Sequence, residues 1–385
     1  KVSVYDDLIQ LYLDRLSGGD ASSEDTEQLF DLIERAKSRA LVERISGSLL
    51  AQASADAEAE AQLIQLRAAL NAIYNDMLGN DIDSPDAQDP SGDRAAHLSR
   101  LGNRAADLER DLSQRRLQLA HSGATTSLEH PLPLQQIQAD LPHDLTVVCY
   151  HVAGDEILAF IITHKMIQPV RHLSSPAAIQ SQLNLLTAQW RHLKGDSDFV
   201  ERHIHRLVQN AERPLHQLYI ELVAPLESLL DLQNAALPEK LVFVPHGLLH
   251  QVPFQALHDG ERYLIETTEL SYAPSASILT LSQRRQQCES SRMLVLGVTD
   301  PAIPAVEVET RAIAQVLPLA DVRMEEAATL DALLGVAGTV GGIHFACHGI
   351  FRSDNPNFSA LKLHDGWLTA DEATHLDLDG ALVVL

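Results

Sequence analysis

Residues 344–351 read HFACHGIF and set Cys347 directly beside His348. Thiol and imidazole are the two groups of thiolate chemistry, in which a base takes the proton and the sulfur attacks a carbonyl carbon. Adjacent residues on an extended strand point to opposite faces, so these two side chains cannot both turn toward one substrate atom. Cys347 and Phe345 alternate with His344 and Ala346, which sends Cys347 to pack against a covering helix. The nucleophile must come from elsewhere. Such a mechanism also needs donors for the carbonyl oxygen as it becomes negative. His348 offers the imidazole, and Gly349, having no Cβ, lets its backbone N–H approach that oxygen closely.

The other chemically capable residues carry less. Cys149 lies inside a β-rich run and reads as a buried core thiol. Cys288, in the polar stretch RRQQCESS, reads as a loop residue before a different strand. His246 and His250 lie in PHGLLHQVP, which is flanked by prolines and read as non-helical, so an i,i+4 pair of metal ligands is not expected there. His203 and His205 form no ligand set either, and no metal is expected. No Gly-rich phosphate loop is present, so no nucleotide or other cofactor is expected. Ser275 in YAPSAS reads as the cap of a following helix rather than as a nucleophile.

The elements that must hold His348 can be read from the surrounding pattern. KLVFVP, RMLVLGV, GGIHFA and GALVVL are short, continuous apolar runs, and helical patterns fall between them at 304–317, 327–336 and 369–376. That alternation predicts an α/β fold with a mostly parallel sheet flanked by helices. Sites in such sheets gather at the carboxyl ends of the strands, and His348 stands just past the end of GGIHFA. Within LHDGWLTADE the spacing predicts a hairpin turn at Asp365-Gly366, a capping box from Thr369 to Glu372, and a packing role for Trp367.

Upstream, LTVVCYHVAGDEILAFIITH predicts a hairpin about a Gly-Asp turn, and Pro214 and Pro225 mark starts or kinks of helices. The first part is helical: Leu29, Ile33, Ala36 and Ala40 share one face. Leu98, Leu101, Ala105, Leu108, Leu112 and Leu119 form a seam, interrupted by Arg115, that predicts a long antiparallel helix pair. NDIDSPDAQDPSGD, residues 80–93, reads as a mobile surface loop. The expected division is a helical region over 1–122 and an α/β domain over 123–385, with residues 237–385 carrying the catalytic half-site.

Asp and Glu outnumber Lys and Arg by 53 to 29 in 385 residues, a net charge of −24. This argues against direct nucleic-acid contact and against an anionic membrane surface, both of which need clustered basic residues. The three cysteines are an odd number without paired spacing, and the chain has no leader-like start or membrane-length apolar run; it is therefore expected in the cytoplasm. Lys1 and the closing ALVVL suggest a piece of a longer protein.

VPHGLLHQVPFQALHDGERYLIETTELSYAPSASIL, IPAVEVETRAIA, IHFACHGIFRSDNPNFSALKLHDGWLTADEA and LDLDGALVVL, in that order, resemble segments of the CHAT-domain family. These are caspase-like cysteine peptidases related to separase, usually attached to tetratricopeptide helices, which LFDLIERAKSRAL also resembles. The resemblance implies a caspase-like sheet preceded by an all-α region, with His348 as base and Gly349 as an oxyanion donor. It implies that Asp354 and Asn355 border the substrate cleft, and that Glu309 is an acidic residue at a helix start. The family's nucleophile follows the last strand in a Ser-Ala-Cys sequence, which is expected a few positions beyond Leu385. This chain is then a half-site, inactive alone. It implies a protein or peptide substrate and a regulatory protein on the helical region. The other readings are a non-catalytic scaffold of the same fold and a metal-dependent hydrolase.

Overall fold

The computed structural model describes residues 2–17, 22–49, 57–82, 93–119, 131–193, 197–230, 238–284, 290–300, 303–317, 319–336, 338–352, 355–374, 376, 378 and 380–385. Cys288, Asp354, most of the 80–93 loop, and the side chains of Leu98, Arg115 and Leu119 lie outside the described residues.

Four helices come first: α1 (Val2–Ser17), α2 (Ser23–Leu49), α3 (Ala57–Ile82) and α4 (Asp93–Leu119). After α5 (Leu134–Asp140) come β1 (Leu145–Ala153), β2 (Glu156–Ile162) and β3 (Ile167–Ser174). Three helices follow, α6 (Pro176–Leu193), α7 (Ser197–Leu222) and α8 (Ala224–Leu230), then β4 (Lys240–Val244), β5 (Glu269–Tyr272) and α9 (Ala276–Arg284). The remainder alternates: β6 (Met293–Gly297), α10 (Val306–Val316), β7 (Ala320–Met324), α11 (Leu330–Leu334) and β8 (Gly342–Ala346). It closes with β9 (Gly349–Ile350), β10 (Ala360–Lys362), β11 (Trp367–Thr369), α12 (Ala370–Ala373) and β12 (Leu382–Val384). The chain divides into two compact units, Lys1–Ala40 with Ser127–Arg284 and Leu41–Thr126 with Arg285–Leu385.

The first unit holds a five-stranded sheet in the order β3-β2-β1-β4-β5. β1 and β2 form the expected hairpin, with Ala153 opposite Glu156 across Gly154-Asp155. Gly154 has φ +57°, a left-handed conformation that glycine takes without a Cβ clash. Successive residues of β1 supply opposite cores. Val148 and Tyr150 pack with Leu183, Leu186, Leu218 and Leu222 of α6 and α7. Val147 and Cys149 pack with Ile9, Leu13, Phe30 and Ile33 of α1 and α2. Each such fully buried large side chain stabilises the fold by about 1.5–3 kcal/mol. Pro214 lies inside α7, and Pro225 in the first turn of α8, where a missing N–H costs no helical bond. Ser275 caps α9, its Oγ accepting from Ile278 N at 3.2 Å.

The second unit holds the all-parallel sheet β12-β8-β6-β7 and the three-stranded sheet β11-β10-β9. The four apolar runs read above as strands of one sheet therefore divide between two: KLVFV is β4 beside β1, and the other three are β6, β8 and β12. Leu294, Leu296, Ile343 and Phe345 pack with Leu333 and Val336 from the α11 region. The helix pair expected from the leucine seam is α3 with α4, and Leu70, Ile73, Tyr74, Ala105 and Leu112 pack with Phe358, Ala360 and Trp367. In the β10–β11 hairpin Leu363 N donates to Gly366 O at 2.8 Å. Its two central residues are thus His364 and Asp365, one position earlier than expected. Thr369 and Glu372 make the expected capping box.

Candidate active site

β8 is extended, and its alternation sorts the HFACHG residues. Ile343, Phe345 and Cys347 belong to the apolar core on one side. His344 faces α10, with Nε2 2.8 Å from Glu309 Oε1. Burial pushes the Cys347 thiol up to about 11, so at neutral pH it is protonated and unreactive. Cys347 therefore does not serve His348, in keeping with the opposite-faces reading.

His348 stands just past the carboxyl end of β8, its side chain 16% exposed. Its Nε2 is buried and makes no hydrogen bond among the described residues. Asp300 Oδ1 lies 3.5 Å from that nitrogen. This is outside the roughly 2.7–3.2 Å of an N–H···O bond but within reach of charge attraction. The other carboxylate oxygen, Oδ2, faces Lys362 Nζ at 3.4 Å. Asp300 follows β6, and β6 runs parallel beside β8 with Gly297 opposite Ala346. His348 and Asp300 thus meet because two neighbouring parallel strands end at the same rim.

Lys362 also fixes the backbone of the histidine, its N–H donating to His348 O at 2.8 Å. Residues 348 and 362 are therefore a hydrogen-bonded pair of an antiparallel ladder. The next pair, Gly349 with Leu361, is the non-hydrogen-bonded kind. The Gly349 N–H accordingly points away from β10 and is not consumed by the sheet. Gly349 is exposed. A Cβ placed on it would meet only Leu361 Cδ2 at 3.5 Å and Ala360 O at 3.8 Å, ordinary contacts. The fold does not itself demand glycine here.

Asn355 Nδ2 donates to Glu109 Oε2 at 2.9 Å. Asp354, its expected companion, lies outside the described residues. The histidines weighed as ligands are dispersed. His246 lies at the start of a 3-10 turn, Gly247–Gln251, a helical turn that the flanking prolines did not suggest. At three residues per turn it still does not align His246 with His250. His246 Nδ1 accepts from Val152 N at 3.1 Å and its ring stacks on His151 at 4.3 Å. Among the described residues no three His, Cys, Asp or Glu side chains converge as a metal set. Among the described residues no helix is long and apolar enough to cross a membrane.

Asp300, the carboxylate beside His348, is the residue at this rim that sequence reasoning passed over. It sits in LGVTDP, directly after an apolar parallel strand, and the rule that singled out His348 applies to it equally.

Residues 212–385 match the family model described as CHAT domain, a caspase-like family, and the resemblance read from the sequence holds over these residues. The match takes in β4 through β12, and with them His348, Gly349, Asp300 and Lys362. No curated protein matches the chain.

Proposed function

We propose that this chain is part of a caspase-like cysteine endopeptidase in which His348 is the general base and Gly349 N–H an oxyanion donor. The observation that carries the reading is the register of β12 on β8, with Val384 opposite His344. Both strands run the same way, so a residue continuing β12 comes up beside His348. The nucleophilic cysteine belongs there.

The chemistry then follows the usual order. His348 takes the thiol proton, and the thiolate adds to the scissile carbonyl carbon. The oxyanion is held by Gly349 N–H and by the cysteine's own N–H. The imidazolium, faced by Asp300, gives its proton to the departing amine as the C–N bond breaks. Water, deprotonated by His348, then hydrolyses the thioester and restores the thiol. The substrate is a protein or peptide lying extended at the rim, and the N-terminal helices are the docking part for a regulatory protein. Alone, residues 1–385 supply the base without the sulfur and do not turn over. Cytoplasmic residence suits a thiolate enzyme.

The test is peptide turnover by the full-length protein and its His348→Ala variant. Turnover lost in the variant, with the melting temperature kept, supports the reading. Turnover that survives in His348→Ala contradicts His348 as the base, and an absence of any turnover in the parent protein favours a scaffold of the same fold.

A further inference from the structure

The second unit buries an ion pair that the chemistry above does not use. Glu109 of α4 is fully buried and Arg352, just past β9, is 5% exposed. Arg352 Nη1 bonds Glu109 Oε1, and Arg352 Nη2 donates to Oε2 at 3.3 Å. Tyr74 of α3 donates its hydroxyl to Glu109 Oε1 at 2.9 Å and lies 3.1 Å from Phe358 O. Asn355 Nδ2 donates to Oε2 at 2.9 Å. Burial, followed by the Glu109 carboxylate, holds the Tyr74 phenol far above its ordinary value, so it remains a donor. One carboxylate from a helix thus gathers a guanidinium, a phenol and an amide.

The two Arg352 bonds bear on the segment that follows His348. Gly349 and Ile350 form β9, Phe351 is 78% exposed, and Arg352 closes the segment. β10 holds one edge of it through Ala360 opposite Ile350. Arg352 N donates to Ser359 Oγ at 3.1 Å. The guanidinium fixes the far end to α4. Around it, Trp367 Nε1 donates to Asn75 Oδ1 at 3.0 Å, and Arg67 pairs with Glu372 at 2.6 Å.

We infer that the α3–α4 pair is part of the frame of the active site: Glu109, through Arg352, is a positioning residue for β9 and so for the Gly349 N–H. This rests on the peptidase reading for its catalytic consequence, but its structural half does not. A two-residue strand has too few ladder bonds to hold itself. Loss of the Glu109 carboxylate removes both bonds by which the Arg352 guanidinium ties the end of β9 to α4, and breaking a buried pair of this kind is strongly destabilising at the place where it sits.

The experiment uses the full-length protein and two readouts. The first is amide hydrogen exchange over residues 348–352, compared with residues 293–297 of β6. In Glu109→Gln, exchange over 348–352 accelerates at least tenfold while β6 keeps its protection. The second is peptide turnover: kcat falls at least tenfold with KM little changed, because the oxyanion donor is misplaced while the cleft remains. Arg352→Met cuts the same tie from the other side: exchange over 348–352 accelerates to the same degree, and adding Glu109→Gln to it accelerates exchange there no further. Unchanged exchange over 348–352 overturns the inference, as does an acceleration shared equally by β6. If Glu109→Gln does not fold, Tyr74→Phe is judged by the same local-against-β6 criterion. A parent protein without turnover removes the peptidase reading and leaves the exchange result standing.

Discussion

Asp300 Oδ1 lies 3.5 Å from His348 Nε2, and the second oxygen of the same carboxylate faces Lys362 Nζ at 3.4 Å. Lys362 in turn holds the His348 carbonyl through its backbone N–H. The imidazole is thus framed from two strands, β6 and β10, that are far apart in sequence. A carboxylate stands beside the ring there, the place that the acid takes in a nucleophile–base–acid arrangement.

Replacing Asp300 with Asn keeps the shape and removes the charge. At this distance the lost attraction is one of charge and not of a hydrogen bond, on the order of 1–2 kcal/mol for a pair this little exposed. At 1.36 kcal/mol per decade this predicts a fall in kcat of about 5- to 30-fold, with KM little changed. Steady-state kinetics of the full-length variant checks it.

Cys347 packs in the core, and its thiol is pushed up to about 11 by burial. At pH 8 about one thiol in a thousand is ionised, and the thiolate fraction rises tenfold per pH unit up to about pH 11. Iodoacetamide is expected to label Cys347 far more slowly than an exposed cysteine, and faster only as the pH climbs. Cys347→Ala should leave turnover nearly intact and cost about 1 kcal/mol of stability.

Gly349→Ala separates folding from catalysis. The site has room for a methyl group and no left-handed backbone, so unfolding free energy should change by no more than about 0.5 kcal/mol. The added Cβ does stand beside the N–H proposed to receive the oxyanion. Peptide turnover is expected to fall by about 100-fold while the denaturant midpoint stays in place.

The stacked pair His151 and His246 predicts an acid limb in stability. Burial first, then its histidine neighbour, lowers His151 to about 2; burial and then Lys37 lower His246 to about 4. Both groups titrate near 6.5 when unfolded. Above pH 6.5 both states are neutral and the pair adds no pH dependence. Below it the unfolded chain binds protons that the folded one refuses, so stability falls as pH falls. The slope is up to about 1.4 kcal/mol per pH unit for each histidine, ending near pH 4 for His246 and near pH 2 for His151. Urea midpoints between pH 4 and 7 should slope about half as steeply in His151→Phe, which keeps the stack.

Much of this was legible in the sequence where the signal is local. The Gly154-Asp155 hairpin, the Thr369–Glu372 capping box and the two-sided burial of β8 each depend on residues a few positions apart. Which strands share a sheet does not. KLVFV and GGIHFA have the same apolar character, and only the helices packed on them decide that they belong to different sheets. Asp300 was readable from its position after an apolar strand, but its meeting with His348 depends on β6 and β8 being neighbours. Glu109 gave no signal at all. It sits beside the leucine seam of α4 like any solvated helix charge, and its partner Arg352 is remote in the chain.

The central claim is that His348 activates a cysteine brought alongside it by the continuation of β12. It is tested most directly by treating the full-length protein with a peptidyl acyloxymethyl ketone and mapping the alkylated residue. The account predicts one labelled cysteine, in the segment that follows β12, with labelling abolished in His348→Ala. Label on Cys347, or labelling that persists without His348, would contradict it.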